Sequence, residues 1–198
     1  DEEDGYYTNG RFLRASDFAQ FEGEEYDEWK PVQVDNDSGD MKIPTGTLGH
    51  RWETENTGRW NLTHEDALTG EEYDPMLSLL DKKGSKEVMV GFPDFTHTYD
   101  KLGETKNTGN EAINSIRGVP AREVKTKDGK VLFTTVFDLM MGQYGVGRGL
   151  SGDYPEDYDD ADAPFTPAWQ EQETGVSRDL AIRVAREWAD NAEATKGK

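Results

Sequence analysis

Apolar positions along this chain fall into short, separated islands, and only a few of them are periodic. The clearest pattern lies near the C-terminal end. Ala181, Val184, Ala185, Trp188 and Ala192 recur at three- and four-residue spacing, while Arg183, Arg186 and Glu187 fall mainly on the other side. The spacing predicts an amphipathic helix over 178–194, capped by Ser177. A shorter helix is predicted over 167–174, with Thr166 as N-cap, Pro167 in its first position and Gly175 just past its end. Upstream, VPAREVKTKDGKVLFTTVFDL holds two β-rich runs around Lys127-Asp128-Gly129-Lys130. That predicts a β-hairpin near 119–137 with a type I′ turn at Asp-Gly. The run TVFDLMMGQYG then continues into a short helix or helical turn.

Nearer the start, YDEWKPVQV and GDMKIPTG flank DNDS and read as strand, acidic turn, strand. No internal repeat is evident. Texture divides the chain into a β-rich part over 1–62, an irregular part over 63–115, and a hairpin-plus-helix part over 116–198. The irregular part is mostly polar, with apolar islands only at MLSLL and EVMVGF. The fold expected is a loop-rich α+β fragment of one piece, with short antiparallel strands, the hairpin and two C-terminal helices.

Composition narrows the partners. Forty-one acidic residues stand against 22 basic ones, for a formal net charge of −19. Such a surface repels a phosphate backbone and anionic lipid head groups, and no basic stripe offsets it, so nucleic acid is excluded as a partner. Low hydrophobicity with high charge can signal disorder. Five Trp, eight Tyr and eight Phe argue instead for a folded domain with an acidic shell. Salt screens the self-repulsion of such a shell, which points to a halophilic source. There is no cysteine, so disulfides, thiol nucleophiles and Cys-ligated clusters are excluded from this stretch. No apolar run is long enough to span a bilayer, so direct membrane insertion is not expected. The chain begins DEEDGYY and ends EATKGK; both ends are expected to be cut from something longer.

One stretch invites a chemical reading. Residues 147–152 read G-R-G-L-S-G, a literal G-x-G-x-x-G. A phosphate-binding loop of that kind needs a strand before it and a helix N-terminus after it. Here the next residues are DYPEDYDDADAP, with six acidic residues, two prolines and no helix start. At ~5–8 Å and an effective dielectric near 20, each such charge costs a phosphate about 2–3 kcal/mol. The glycines therefore read as a tight turn with close backbone packing. Neither acidic stretch fits a calcium loop. From Asp157 the sixth residue is Asp162 and the twelfth Ala168; from Asp35 the glycine is fifth and Gly46 twelfth. His50, His64 and His97 share no metal-binding spacing, and His50 in LGHRW reads as a packed structural histidine. Asn36-Asp37-Ser38 and Asn61-Leu62-Thr63 match the glycosylation acceptor pattern, which matters only for an exported chain. The residues taken alone specify no catalytic, cofactor-binding or metal-binding site.

The order of several pieces carries more. They are DGYYTNGRFLRASDF (4–18), EWKPV (28–32), LGHRW (48–52), GRWNL (58–62), GFPDF (91–95), RGVPAREV (117–124), TTVFDLMMGQYGVGRGL (134–150) and TPAWQEQETGVSRD (166–179). In order and spacing the chain resembles an internal segment of the catalytic alpha subunit of membrane-bound respiratory nitrate reductases, within the molybdopterin oxidoreductases. Residues 63–115 match loosely. The resemblance implies a full-length enzyme with molybdenum-bis(pyranopterin guanine dinucleotide) and one 4Fe-4S cluster. Its partners would be an iron–sulfur beta subunit and a haem-bearing membrane gamma subunit, in a membrane-associated complex with a peripheral catalytic subunit. In that family the cluster and molybdenum ligands lie upstream of this stretch, and the pterin-contacting glycine loop comes after the helix that ends in EATKGK. No cofactor and no site residue is therefore expected within 1–198. The alternative from another class is a stand-alone acidic binding module, calcium-stabilised, which a melt with and without calcium at fixed ionic strength would separate.

Overall fold

The computed structural model of the chain describes residues 2–3, 5–8, 10–45, 64–93 and 113–195. In chain order the strands are β1 (Glu2–Glu3), β2 (Tyr6–Tyr7), β3 (Gln33–Val34), β4 (Met41–Lys42), β5 (His64–Glu65), β6 (Glu72–Tyr73), β7 (Ser85–Pro93), β8 (Ile113–Thr126) and β9 (Gly129–Phe133). Two 3-10 turns lie at Ala15–Asp17 and Ala19–Phe21. The helices are α1 (Val136–Gln143), α2 (Pro167–Thr174) and α3 (Arg178–Thr195). This is the loop-rich α+β arrangement expected. The chain divides into two compact units, one of Asp1–Gly10, Ser78–Arg122 and Thr134–Ile182, the other of Arg11–Leu77, Glu123–Phe133 and Arg183–Lys198.

The first unit is built on β7 and β8. They pair antiparallel from Ser85↔Arg122 to Pro93↔Ile113, with a bulge between Phe92 and Pro93. The EVMVGF island, which stood in the irregular part of the sequence, supplies this strand. Its apolar run is short and continuous, a pattern shared by buried strands and buried helix segments. Val90, Phe92 and Val119 form the core, with Tyr7, Val88 and Leu139 packed against them. α1 begins at Thr135, whose hydroxyl accepts the Asp138 N–H. Gly142 lets α1 approach: a Cβ there would stand 2.6 Å from Phe92 Cζ.

The shorter of the two later helices begins and ends as its sequence requires. Thr166 caps α2 by accepting the Trp169 N–H, Pro167 opens it, and Gly175 closes it with φ of 73°. α3 runs over 178–195, and the Ala181 N–H donates to the Ser177 carbonyl. Its apolar face is not covered. Leu180, Val184 and Trp188 are 44%, 49% and 76% exposed.

The second unit packs Ala15, Phe18, Phe21 and Ile43, with Leu13, Val32, Met41, Ala67 and Val124 around them. The rings of Phe18 and Phe21 meet edge to face, 5.9 Å apart. β3 and β4 form the expected strand–turn–strand, but only two residues on each side pair. The YDEW part is turn instead, with Tyr26 at φ of 61°. The 119–137 hairpin forms from β8 and β9, yet without the type I′ turn. Lys127 and Asp128 make the turn, neither has positive φ, and Gly129 takes it at 130°.

Candidate functional site

The glycine stretch Gly147–Gly152 is the best-defined candidate in the first unit, and hydrogen bonds tie its backbone to β8 and to Glu87 of β7. Arg117 and Gly152 form an antiparallel bridge, so the loop lies along β8 as an added edge. Gly118 N–H donates to Ser151 O at 2.7 Å, and Asp153 N–H donates to Ile116 O at 2.9 Å. Ser151 N–H donates to the Glu87 carboxylate at 2.7 Å. A carboxylate thus accepts from a loop N–H that a phosphate would need. Tyr154 O–H closes the stretch on Gly118 O at 2.7 Å. From there to Phe165 the chain makes bends and turns, with no helix start. The stretch is thus a turn packed against β8 and followed by no helix start.

Two arginines hold the loop. Arg117 is buried and donates through Nε to Asp153 O at 2.7 Å, and through Nη1 to Gly142 O at 2.8 Å and Gln143 O at 3.1 Å. It thereby satisfies two carbonyls at the end of α1, the place where a cation is favoured. Its guanidinium lies 5.5 Å from the Tyr154 ring centroid. Arg148 sits in the loop itself at φ of 51° and reaches the fully buried Asp138 at 2.9 Å. Asp138 also accepts from Ser78 Oγ at 2.6 Å, Leu79 N–H at 2.8 Å and Thr135 Oγ1 at 2.9 Å. This node joins the start of α1, the segment before β7 and the glycine loop. Sequence reading did not single it out, because Asp138 and Arg148 lie 60 and 70 positions from Ser78 and leave no local signal.

The remaining sequence candidates that fall on described residues make local contacts. In the second unit, His64 Nδ1 lies 2.8 Å from Gln33 Oε1, which also accepts from Tyr73 O–H at 2.6 Å. Burial, then the charges of Asp66 and Asp35, push the Tyr73 phenol well above its ordinary pKa. The Asp35 stretch is a hairpin turn in which Ser38 Oγ donates to Asp35 at 2.7 Å. Asn36 of the first glycosylation pattern donates its amide to Asp74 at 3.1 Å. In the acidic stretch, Asp157 and Asp160 cap local turns, and Asp159 pairs with Arg178 at 2.7 Å. His50, His97 and Asn61 lie outside the described residues. Among the described residues no group of three His, Cys, Asp or Glu could hold a metal, and no helix is long and apolar enough to cross a membrane.

Comparison with known proteins finds similarity to alpha chains of nitrate reductases. The respiratory nitrate reductase 1 alpha chain of Escherichia coli is 43% identical over 100% of this chain and 16% of its own length. The nitrate reductase alpha chain of Bacillus subtilis is 38% identical over 99% of this chain and 14% of its own length. The nitrate reductase alpha subunit of Mycobacterium tuberculosis is 39% identical over 96% and 14%. The chain therefore spans about a sixth of the length of the relatives it matches. No family model matches it, and no solved structure matches it.

Proposed function

We propose that this chain is an internal segment of the catalytic alpha subunit of a respiratory nitrate reductase, and that its part there is architectural. The similarity running from end to end at 43% identity carries this reading. Two features of the structure support the architectural role. The glycine loop is held against the sheet by its own hydrogen bonds and two arginines. An 18-residue amphipathic helix, α3, buries none of its residues, and such a helix gains most of its stability from packing. Its uncovered face is where the remainder of the same subunit packs.

The full-length enzyme would then reduce nitrate to nitrite with electrons from quinol. A molybdenum cofactor would take the oxygen atom from nitrate, and its ligands would lie outside this segment. An iron–sulfur cluster, an iron–sulfur beta subunit and a haem-bearing membrane subunit complete the proposed complex. The halophilic source remains part of this reading, supported by the formal charge of −19.

The test uses the chain alone and in context. The isolated chain, purified from cells that make the molybdenum cofactor, is expected to carry no molybdenum and to form no nitrite. The Escherichia coli relative, with its matching segment replaced by this chain, is expected to load molybdenum and reduce nitrate. Stoichiometric molybdenum in the isolated chain, or a chimera no better than one carrying a scrambled segment, would sink the proposal.

A further inference from the structure

Within the second unit, Asp35 and Asp66 open two turns of the same construction. Asp66 stands 31 positions after Asp35 (66 − 35), and the two stretches read DNDSGD and DALTGE. Each Asp N–H donates to the carbonyl of the acidic residue that closes the turn, Asp40 or Glu71, at 2.9 Å in both. Each glycine N–H returns to the opening Asp carbonyl, Gly39 at 2.9 Å and Gly70 at 2.8 Å. Both glycines are left-handed, at φ of 77° and 70°. Each opening carboxylate accepts from the turn hydroxyl, Ser38 at 2.7 Å and Thr69 at 3.0 Å. The flanking strands keep the same offset: Gln33↔Lys42 and Val34↔Met41 answer to His64↔Tyr73 and Glu65↔Glu72.

A shared turn type would explain that much. It does not explain the contacts between the two hairpins, which are reciprocal. Asp35 bridges Pro75, and Asp66 bridges Pro44. Asn36 N–H donates to Asp74 O at 2.7 Å, and Ala67 N–H donates to Ile43 O at 2.8 Å. Met76 N–H donates to Val34 O at 2.7 Å, and Thr45 N–H donates to Glu65 O at 3.0 Å. Adding 31 positions to the residue of the first hairpin and subtracting 31 from that of the second turns each contact into its counterpart, with the roles of the hairpins exchanged. That is the rule of an isologous interface, in which one patch meets an equal patch across a two-fold axis.

We propose that residues 33–45 and 64–76 are two copies of one hairpin, held face to face across a local two-fold axis. The surface that either copy recognises is a second copy of the same hairpin. Each copy alone leaves N–H and C=O groups along its outer edge, which only its counterpart satisfies at this register. The copies have diverged where their surroundings differ. Ala67 packs against the core of Phe18, Phe21 and Ile43, whereas Asn36, at the equivalent place, bonds to Asp74. Only the aspartate, the glycine and the proline are the same in both, at 35, 39 and 44 and at 66, 70 and 75. This inference is independent of the role proposed for the chain in a larger enzyme.

The test is hydrogen–deuterium exchange on the whole chain. In a transposed variant, residues 33–45 and 64–76 trade places. The amides at 36, 45, 67 and 76 are expected to stay protected, within about tenfold of the native chain. Loss of protection equal to that of a control with both segments scrambled would overturn the proposal. A single substitution guards against misfolding of the transposed chain. Gly70→Val, at a left-handed position, breaks the second turn. It is expected to release the Asp35 amide, bonded wholly within the first hairpin, by about tenfold or more. An Asp35 amide that stays protected while the Asp66 amide is released would also overturn it.

Discussion

Arg148 donates through Nη1 to Asp138 at 2.9 Å while its own backbone is held at φ of 51°. A left-handed non-glycine residue costs about 1–2 kcal/mol, so the ion pair and its neighbours fix a conformation the loop would not choose. The pairing is one-sided. Asp138 is surrounded by four donors, whereas Nε and Nη2 of Arg148 are buried without a hydrogen-bond partner among the described residues. The guanidinium instead lies 5.5 Å from the Phe137 ring centroid.

The asymmetry predicts unequal losses. Asp138→Ala strands the arginine and three further donors, and is expected to cost about 3–5 kcal/mol. Arg148→Gly also removes the pair, but it leaves Asp138 three donors and relieves the backbone, so about 1–3 kcal/mol is expected. Urea unfolding of both variants decides it; equal losses would mean the carboxylate is not the centre of the node.

The glycines of the loop are not equivalent. A Cβ on Gly152, at φ of 110°, would strike Ile116 O and stand 2.7 Å from Arg117 Cα. A Cβ on Gly149, at φ of 85°, would meet nothing within 4 Å. Gly149→Ala is therefore expected to cost only the backbone term, about 1–2 kcal/mol. Gly152→Ala adds a clash with main chain and is expected to cost about 3 kcal/mol or more. Thermal melts that rank the two in the opposite order would refute the close approach of loop and strand.

These contrasts show which parts of the structure the sequence carried. Helices α2 and α3 were legible because caps, proline, glycine and period act within one turn of chain. The packing role of the glycine stretch was legible from its acidic, helix-free flank. What was not legible depends on distant residues. The Asp138 node draws on Ser78, Leu79, Thr135 and Arg148, which share no spacing. β7 lay in a run too short for period alone to tell strand from helix. The type I′ turn failed because Gly129 alone took the positive φ. The paired hairpins were missed because so few of their residues are alike, and backbone geometry keeps the rest.

Acid should weaken the second unit through three carboxylates. The Arg11 guanidinium holds the Asp17 pKa below its ordinary value, and the Ser38 hydroxyl does the same for Asp35. At Asp66 burial pushes the pKa up, but hydrogen bonds from Thr69 and Ile43 and the charge of Lys42 outweigh it, and the net shift is downward. A depressed carboxylate contributes stability that is present above its unfolded value, about 3.9, and is lost as pH falls through the folded value. Stability should thus hold down to pH of about 4 and fall below it. Asp35→Asn should flatten that acid limb in denaturant midpoints taken across the range. An unchanged limb would remove Asp35 from the account.

The formal charge of −19 predicts a dependence on salt. Raising ionic strength from ~0.1 to ~1 M shortens the screening length from about 10 to about 3 Å and weakens repulsion among exposed carboxylates. The melting temperature should rise with sodium chloride. A melting temperature indifferent to salt would contradict the acidic-shell reading and, with it, the halophilic source.

Trp188 separates an isolated chain from a segment of something larger. It is 76% exposed on the uncovered face of α3, beside Val184 and Leu180. In the chain alone, Trp188→Ser should change stability by no more than about 0.5 kcal/mol, as surface substitutions usually do. Within a full-length alpha subunit the same residue would be buried, and its loss would cost about 3–5 kcal/mol. Fluorescence gives a second reading. Trp188 should respond to an aqueous quencher in the isolated chain and be shielded in the subunit, seen as the difference between native protein and the serine variant. Arg186→Ser, on the opposite face, should be silent in both settings. If Trp188→Ser is equally harmless in the full-length subunit, α3 is not an internal packing helix, and the face it presents belongs to solvent.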